Sequence, residues 1–370
     1  MEPSATAWRW HASRRRPASG RVELSRRGVR HGSLELVAAL PPAPDDLDRR
    51  FETARPILLR GWLATSGVRA RERIENTRRW FERLRRGESF SAGVRARLAR
   101  RAGRAGQLAR VVGVSEDVAD PREIEKVHVA LDAHGKRGQE AYAKLSWVAD
   151  DERDDSLRVH FSSGSERHPV SKRDPRRSLA ADRLAELVFP EGALISAHRA
   201  LFALLERLCG GDVRLSERIV YNNSPGGGAS FHHDAEPSQL GVVYGQLCGS
   251  TGWLALPRAE LAQEVAALAQ RQPLSRRAGT ARRAARALDD PRWPPLARLL
   301  NEDPRLTRRL VERGAFFRLE PGDVLILPSP RRELCAWHSV FALGRRASVA
   351  HSYGLFSARK LRRAREPHAD

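Results

Sequence analysis

Residues 228–257 read GASFHHDAEPSQLGVVYGQLCGSTGWLALP, and the fold turns on how this stretch divides. Its apolar residues come in short runs rich in valine, leucine and aromatics, and glycine, proline or serine punctuates them. That pattern reads as three short strands, 228–234, 240–248 and 252–256. Working outward, similar runs fall at 217–223 before it and at 315–319, 323–328, 334–342 and 346–356 after it. Between them, residues 258–313 change texture to an Arg/Ala/Leu-rich helical pattern broken by Pro273 and Pro291. Short strands with one helical insert predict a jelly-roll barrel, an architecture that protects its strand edges.

Upstream, 127–131, 141–148 and 157–161 also read as strands, with the acidic stretch 149–155 as a hairpin turn between the last two. Two helices are expected at about 178–189 and 193–209, the second stopped by Gly210-Gly211. Residues 51–112 are helical in pattern, with Ile74, Thr77, Phe81 and Leu84 on one face, and residues 1–50 look irregular. The expected class is therefore α+β. A basic, mainly helical N-terminal region (1–120) precedes a domain at 121–360, whose core lies at about 215–357 with flanking helices and the insert 258–313. A basic, polar tail covers 361–370.

With 370 residues, 41% hydrophobic and 30% charged, the chain has the composition of a globular protein able to bury a sizeable core. No apolar run reaches membrane-span length, and the basic first thirty residues lack the apolar stretch of a signal peptide. Three cysteines, Cys209, Cys248 and Cys335, are far apart and odd in number, which argues against a disulfide framework and for a reducing cytoplasm. The net charge is +21, and residues 51–110 hold 16 Arg against five Glu. Such a stripe is either an electrostatic footprint for nucleic acid or another polyanion, or a helical surface that is solvated or packed on acidic patches of its own protein.

The chemistry concentrates in three side chains. On a strand, His232 and Asp234 would share a face while His233 points away. About a hundred residues later, Pro321-Gly322-Asp323 leads an apolar strand, and Trp337-His338-Ser339-Val340 follows. Two imidazoles and one carboxylate are the ligand set of non-haem Fe(II) oxygenases, which leaves three metal positions open. Alone, an H-x-D is near chance level in a chain with 12 His. Its order relative to the other motifs gives it weight.

Taken together, residues 217–356 resemble the Fe(II)/2-oxoglutarate-dependent oxygenase superfamily, built on a double-stranded β-helix of the cupin-like, jelly-roll kind. Ser224-Pro225-Gly226-Gly227-Gly228 is similar to the Pro-Gly turn found before the H-x-D in several branches. Gln246-Leu247-Cys248-Gly249 with Trp253-Leu254-Ala255-Leu256-Pro257 resembles the Gln…Gly…Trp…Pro strand pair of Jumonji-C hydroxylases. Arg346-Ala347-Ser348 resembles the R-x-S that holds the far carboxylate of 2-oxoglutarate. The resemblance implies Fe(II) held by His232, Asp234 and His338, with 2-oxoglutarate and O₂ as cosubstrates.

In this alignment the Jumonji-C lysine falls at Thr251, so the carboxylate contact passes to Arg346 and Ser348, with Tyr221 and Asn223 lining the pocket. Asp323 to His338 is longer than usual, Pro330-Arg331-Arg332-Glu333 looking like an inserted loop, which leaves His351 as the alternative distal ligand. The expected activity is hydroxylation of a peptide or protein side chain or of a small metabolite. The alternatives are an oxygenase or demethylase acting on nucleic acid through the basic segment 51–110, and a non-catalytic cupin-like binding module.

Overall fold

The computed structural model describes residues 20–26, 29–36, 43–105, 109–116, 120–133, 136–149, 151–163, 175–236, 238–269 and 274–358. The tail 361–370 and the first nineteen residues lie outside them. From the N-terminus, a hairpin of β1 (Gly20–Arg26) and β2 (Val29–Leu36) precedes α1 (Leu47–Glu52) and β3 (Ile57–Leu59). Helices α2 (Val68–Arg85) and α3 (Phe90–Ala105) lead to strands β4 (Ala109–Ser115), β5 (Glu123–Ala133), β6 (Lys136–Trp147) and β7 (Leu157–Ser163). Next come α4 (Pro175–Val188), α5 (Ala193–Ser196) and α6 (Arg199–Cys209), the last closed by Gly210 at φ 66°. Strands β8 (Val213–Asn223), β9 (Gly228–His232), β10 (Gln239–Cys248) and β11 (Ser250–Pro257) follow. Helices α7 (Arg258–Leu268), α8 (Ser275–Ala278), α9 (Ala281–Ala287), α10 (Pro294–Glu302) and α11 (Pro304–Glu312) then intervene. The chain closes with β12 (Phe316–Leu319), β13 (Val324–Pro328), β14 (Ala336–Leu343) and β15 (Ser348–Ser357).

Strands β8 to β15 are shared between two antiparallel sheets. One holds the order β13-β10-β15-β8, the other β12-β11-β14-β9, which is the strand order of a jelly roll. The first sheet continues past β8 through β7, β6 and β5 to β4, and past β13 to β3, nine strands in all. Helices and antiparallel sheet thus share the molecule, as the α+β reading expects.

Alternation places the layers. Along β7, Leu157, Val159 and Phe161 are buried under α2, α3 and α4, while Arg158, His160 and Ser162 point to the other face. Each such large apolar side chain contributes about 1.5–3 kcal/mol through burial. Helices α1 and α6 cover β10 and β15 from outside. Helices α7, α9, α10 and α11 cover the smaller sheet through Phe231, Leu254, Trp337 and Phe341. Val242, Tyr244, Trp253, Leu325, Val340 and Ala350 fill the space between the sheets.

The N-terminal 120 residues carry more sheet than the helical pattern announces. Strand β3 is only three residues long, too short for a periodic signature, and long-range contacts fix it. The Asp323 carboxylate accepts from Gly61 N (2.9 Å) and Arg60 Nη1 (2.5 Å), and β3 pairs with β13. The Pro-Gly-Asp turn is therefore a clip for the N-terminal segment. Much of the basic stripe is also tied internally. Arg78, Arg79 and Arg83 pair with Glu75, Glu82 and Glu88, and Arg85 binds Asn222. Arg97 lies 4.0 Å over the Trp80 ring, and Arg101 donates to the last carbonyls of α4. These contacts match the self-packed reading of the stripe.

Candidate metal centre

Strands β9 and β14 put His232 directly opposite His338, and His338 is opposite Ala255 of β11. The pairing needs glycine at 228, where a Cβ would meet the Val340 carbonyl. Strand β9 stops at His232, so Asp234 arrives by a different route from the same-face strand geometry expected of the H-x-D. The chain leaves the sheet and turns, with Glu236 N donating to Asp234 O (2.9 Å) and Ala235 N to His233 Nδ1 (3.2 Å). The carboxylate then straddles both imidazoles: Oδ1 is 3.6 Å from His232 Nε2, and Oδ2 is 3.3 Å from His338 Nε2. One ligand atom from each of the three lies within 4.8 Å of the others.

The protonation pattern suits metal binding. His232 Nδ1 lies 2.7 Å from Ser230 O, and since a carbonyl only accepts, Nδ1 carries a proton and Nε2 is the nitrogen left to face a metal. Burial, then the neighbouring His232, pushes His338 down to about 3, which keeps it neutral. Burial alone would raise Asp234, but His232, His338, His233 and Arg158 outweigh it and hold the carboxyl below its ordinary range. Side-chain exposure is 39% for His232 and 37% for Asp234 against 4% for His338, so one side of the group stays open.

Groups behind these three side chains hold their strands. Asn301 of α10 accepts from Phe231 N (2.8 Å), one residue before His232. Ser339, one residue after His338, donates to Ala229 O (2.8 Å) and accepts from Arg26 of β1 (2.7 Å). Asp154, from the acidic turn, is buried. It accepts from Ser224 Oγ (3.1 Å), Ser156 N (2.9 Å) and Gly228 N (2.9 Å), fixing the turn that feeds β9. The sequence shows its charge but nothing of these partners.

Aromatic rings line one wall: Tyr221 to Tyr244 at 6.4 Å, Tyr244 to Trp253 at 4.5 Å, Trp253 to His338 at 5.5 Å. Burial pushes the Tyr221 phenol up to about 12, so it stays neutral. Thr251, where the resemblance would put a lysine, instead donates to Gln246 Oε1 (2.8 Å) and accepts from Trp253 Nε1 (3.0 Å). Asn223 and Ser348 are register partners and fully buried, yet Asn223 Oδ1 and Nδ2 and Ser348 Oγ have no hydrogen-bond partner among the described residues.

Arg346 departs from expectation. Strand β15 begins only at Ser348, so the parity that would align Arg346 with Ser348 does not apply. The arginine is exposed in the preceding turn, and its charge is felt by Cys248. Arg158 of β7 was missed by sequence reasoning, although its alternation with buried Leu157 and Val159 marked the opposite face. It is the register partner of Tyr221, its Nε donates to Ser146 Oγ (3.0 Å), and its charge reaches both Tyr221 and Asp234. His351 stands apart from the group, packed beside Phe189 with its Nε2 3.6 Å from Glu191.

No family model and no curated protein matches the chain. Among solved structures, the ribosomal oxygenase YcfD from Escherichia coli aligns at 14% identity and a TM-score of 0.30, over 86% of this chain and 53% of that one. The present chain thus spans about half the length of YcfD. A YcfD structure in complex with cobalt and 2-oxoglutarate aligns at 14% identity and a TM-score of 0.29, over 86% and 53% of the two chains. A 2OG-Fe(II) oxygenase family oxidoreductase from Burkholderia pseudomallei gives 10% identity and a TM-score of 0.31, over 85% of this chain and 91% of the other. Likenesses this remote leave the chain's own geometry to carry the functional reading.

Proposed function

We propose that this chain is an Fe(II)- and 2-oxoglutarate-dependent dioxygenase that hydroxylates a peptide or protein side chain or a small metabolite. One observation carries the reading: two imidazoles and a carboxylate converge with one side open. His232 Nε2, His338 Nε2 and an Asp234 oxygen would hold the metal, a donor set that suits Fe(II) and leaves positions for a chelating keto acid and O₂. When bound, the iron with 2-oxoglutarate and O₂ supplies the oxidising power for C–H hydroxylation, with succinate and CO₂ as co-products.

The remaining roles follow from the cavity walls. Unpartnered, buried Asn223 and Ser348 suit the far carboxylate of 2-oxoglutarate, because a buried polar group without a partner costs stability unless a ligand satisfies it. Of the two arginines, Arg158 is the better cation for that carboxylate: it faces Tyr221, whereas Arg346 is exposed. Trp253 and Tyr244 keep the imidazole side dry, and neutral Tyr221 can donate a hydrogen bond. A reducing cytoplasm suits the reading, since Cys209, Cys248 and Cys335 are all unpaired and no helix among the described residues is long and apolar enough to cross a membrane.

The test is an anaerobic Fe(II) titration with and without 2-oxoglutarate, followed by succinate analysis after air is admitted. A visible charge-transfer band that needs both components, and Fe(II)-dependent succinate, are expected. Failure to bind Fe(II) in protein purified without chelator would sink the proposal.

A further inference from the structure

An open cleft of about 610 Å³ lies just beyond the end of β11, and its walls are dominated by arginine. Three elements build it. Arg258 starts α7 directly after β11, three residues beyond Ala255, the register partner of His338. Three strand residues span about 10 Å. The connection between β13 and β14 supplies Arg332 and Glu333, part of the Pro330-Arg331-Arg332-Glu333 stretch that looks inserted in the sequence. Helix α9 supplies Arg282 and Arg286, one turn apart and both exposed. The charges of Arg258 and Arg332 also reach His233, the residue between two of the proposed ligands.

The charge in this cleft is unbalanced. Four guanidiniums face it against two carboxylates, Asp289 and Glu333, an excess of two positive charges. Asp289 is already shared: Arg258 donates to it at 2.9 Å, and Arg332 stands 3.5 Å away. Arg258 is buried and fixed further by the carbonyls of Ala285 (2.7 Å) and Arg332 (3.3 Å), so the floor is rigid. Arg282 and Arg286 have no acidic partner among the described residues. Like charges at this helical spacing repel, and nothing in the packing of α9 requires them.

We propose that this cleft binds a compact anion, a carboxylate or a phosphate, carried by the substrate close to the group presented to His232, Asp234 and His338. Its use in presenting substrate rests on the oxygenase reading; the anion site itself does not. Forked guanidiniums on two sides of one cleft match the oxygens of either group in paired hydrogen bonds. Asp289 and Glu333 in the same walls favour one compact anion over the continuous phosphate backbone of a nucleic acid, which they would repel.

Calorimetric titration of the full chain with phenyl phosphate and with benzoate tests this, and comparing the two probes separates a phosphate site from a carboxylate site. Saturable binding of at least one probe is expected. It should weaken about tenfold or more in Arg282→Ala/Arg286→Ala and in Arg332→Ala, with Mn(II) binding at the three proposed ligands unchanged. Arg282→Lys/Arg286→Lys should fall between, because charge is kept and the fork is lost. All these side chains are exposed, and circular dichroism verifies that each variant is folded. No saturable binding by the unaltered chain, or equal binding by the variants, overturns the proposal. So does tighter binding of a single-stranded oligonucleotide through the same arginines with a steep salt dependence. Probe binding without any Fe(II)–2-oxoglutarate band would instead fault the oxygenase reading and leave the anion site standing.

Discussion

His338 and His351 are both buried on barrel strands, and each has a carboxylate oxygen nearby, at 3.3 Å from Asp234 and 3.6 Å from Glu191. Their surroundings differ. His351 lies against the rings of Phe189 and Tyr353, and Glu191 takes a hydroxyl hydrogen bond from Thr77 of α2 (2.6 Å). Glu191 is completely covered, so that cluster is closed and ties the helix layer to the sheet. His338 instead meets a second imidazole and a carboxylate with an open side. A histidine–carboxylate pair is thus a brace in one place and part of a donor set in the other. A third donor and access from outside make the difference.

Substitutions can break this contrast. His232→Ala or His338→Ala should lower Fe(II) affinity by more than about a hundredfold, beyond the range of groups that only orient ligands, with circular dichroism unchanged. Glu191→Ala should leave Fe(II) affinity alone and cost about 1–3 kcal/mol in denaturant unfolding, because the buried Thr77 hydroxyl loses its acceptor. If Glu191→Ala abolished iron binding, the two clusters would not be separate.

A finer cut concerns the arginines. Arg158→Ala should raise the KM for 2-oxoglutarate about tenfold or more, while Arg346→Ala should change it by less than about twofold. The reverse result would return the carboxylate contact to the turn before β15. Asn301→Ala, which leaves Phe231 N–H unpaired behind His232, should weaken Fe(II) binding by about tenfold and cost about 1–3 kcal/mol.

A last test is in pH. Burial holds His338 at about 3 and His31 at about 4, below the ordinary 6.5. The unfolded chain therefore takes up protons that the folded chain refuses as pH falls below 6.5. Stability of the metal-free protein should be level above that pH and decline from there toward about 4, read as a falling thermal midpoint. His31→Gln should flatten the decline.

The barrel was legible because its strands are short, alternate, and are bounded by glycine and proline. The grouping of His232, Asp234 and His338 was legible because their types and order agree with that frame. What escaped the sequence depends on partners far along the chain. The Asp234 route follows from β9 ending at His232, a boundary that no local pattern marks. Strand β3 owes its existence to β13 and Asp323. Arg346 was placed by its R-x-S resemblance, but the strand starts two residues later at Ser348, and Arg158 sits on a strand whose adjacency to β8 only the assembled sheet reveals.

Asp154 sets the size of the smallest piece that could keep this site. A fragment starting at Val213 would contain every barrel strand and the side chains of His232, Asp234 and His338. It would also leave Gly228 N and the Ser224 hydroxyl without the carboxylate that fixes the entry to β9. Cutting away β7 and its preceding turn would remove Arg158 in the same stroke. The structural boundary of the site therefore falls upstream of the barrel, at a hydrogen-bonded carboxylate some sixty residues before the first strand that a topological count would include.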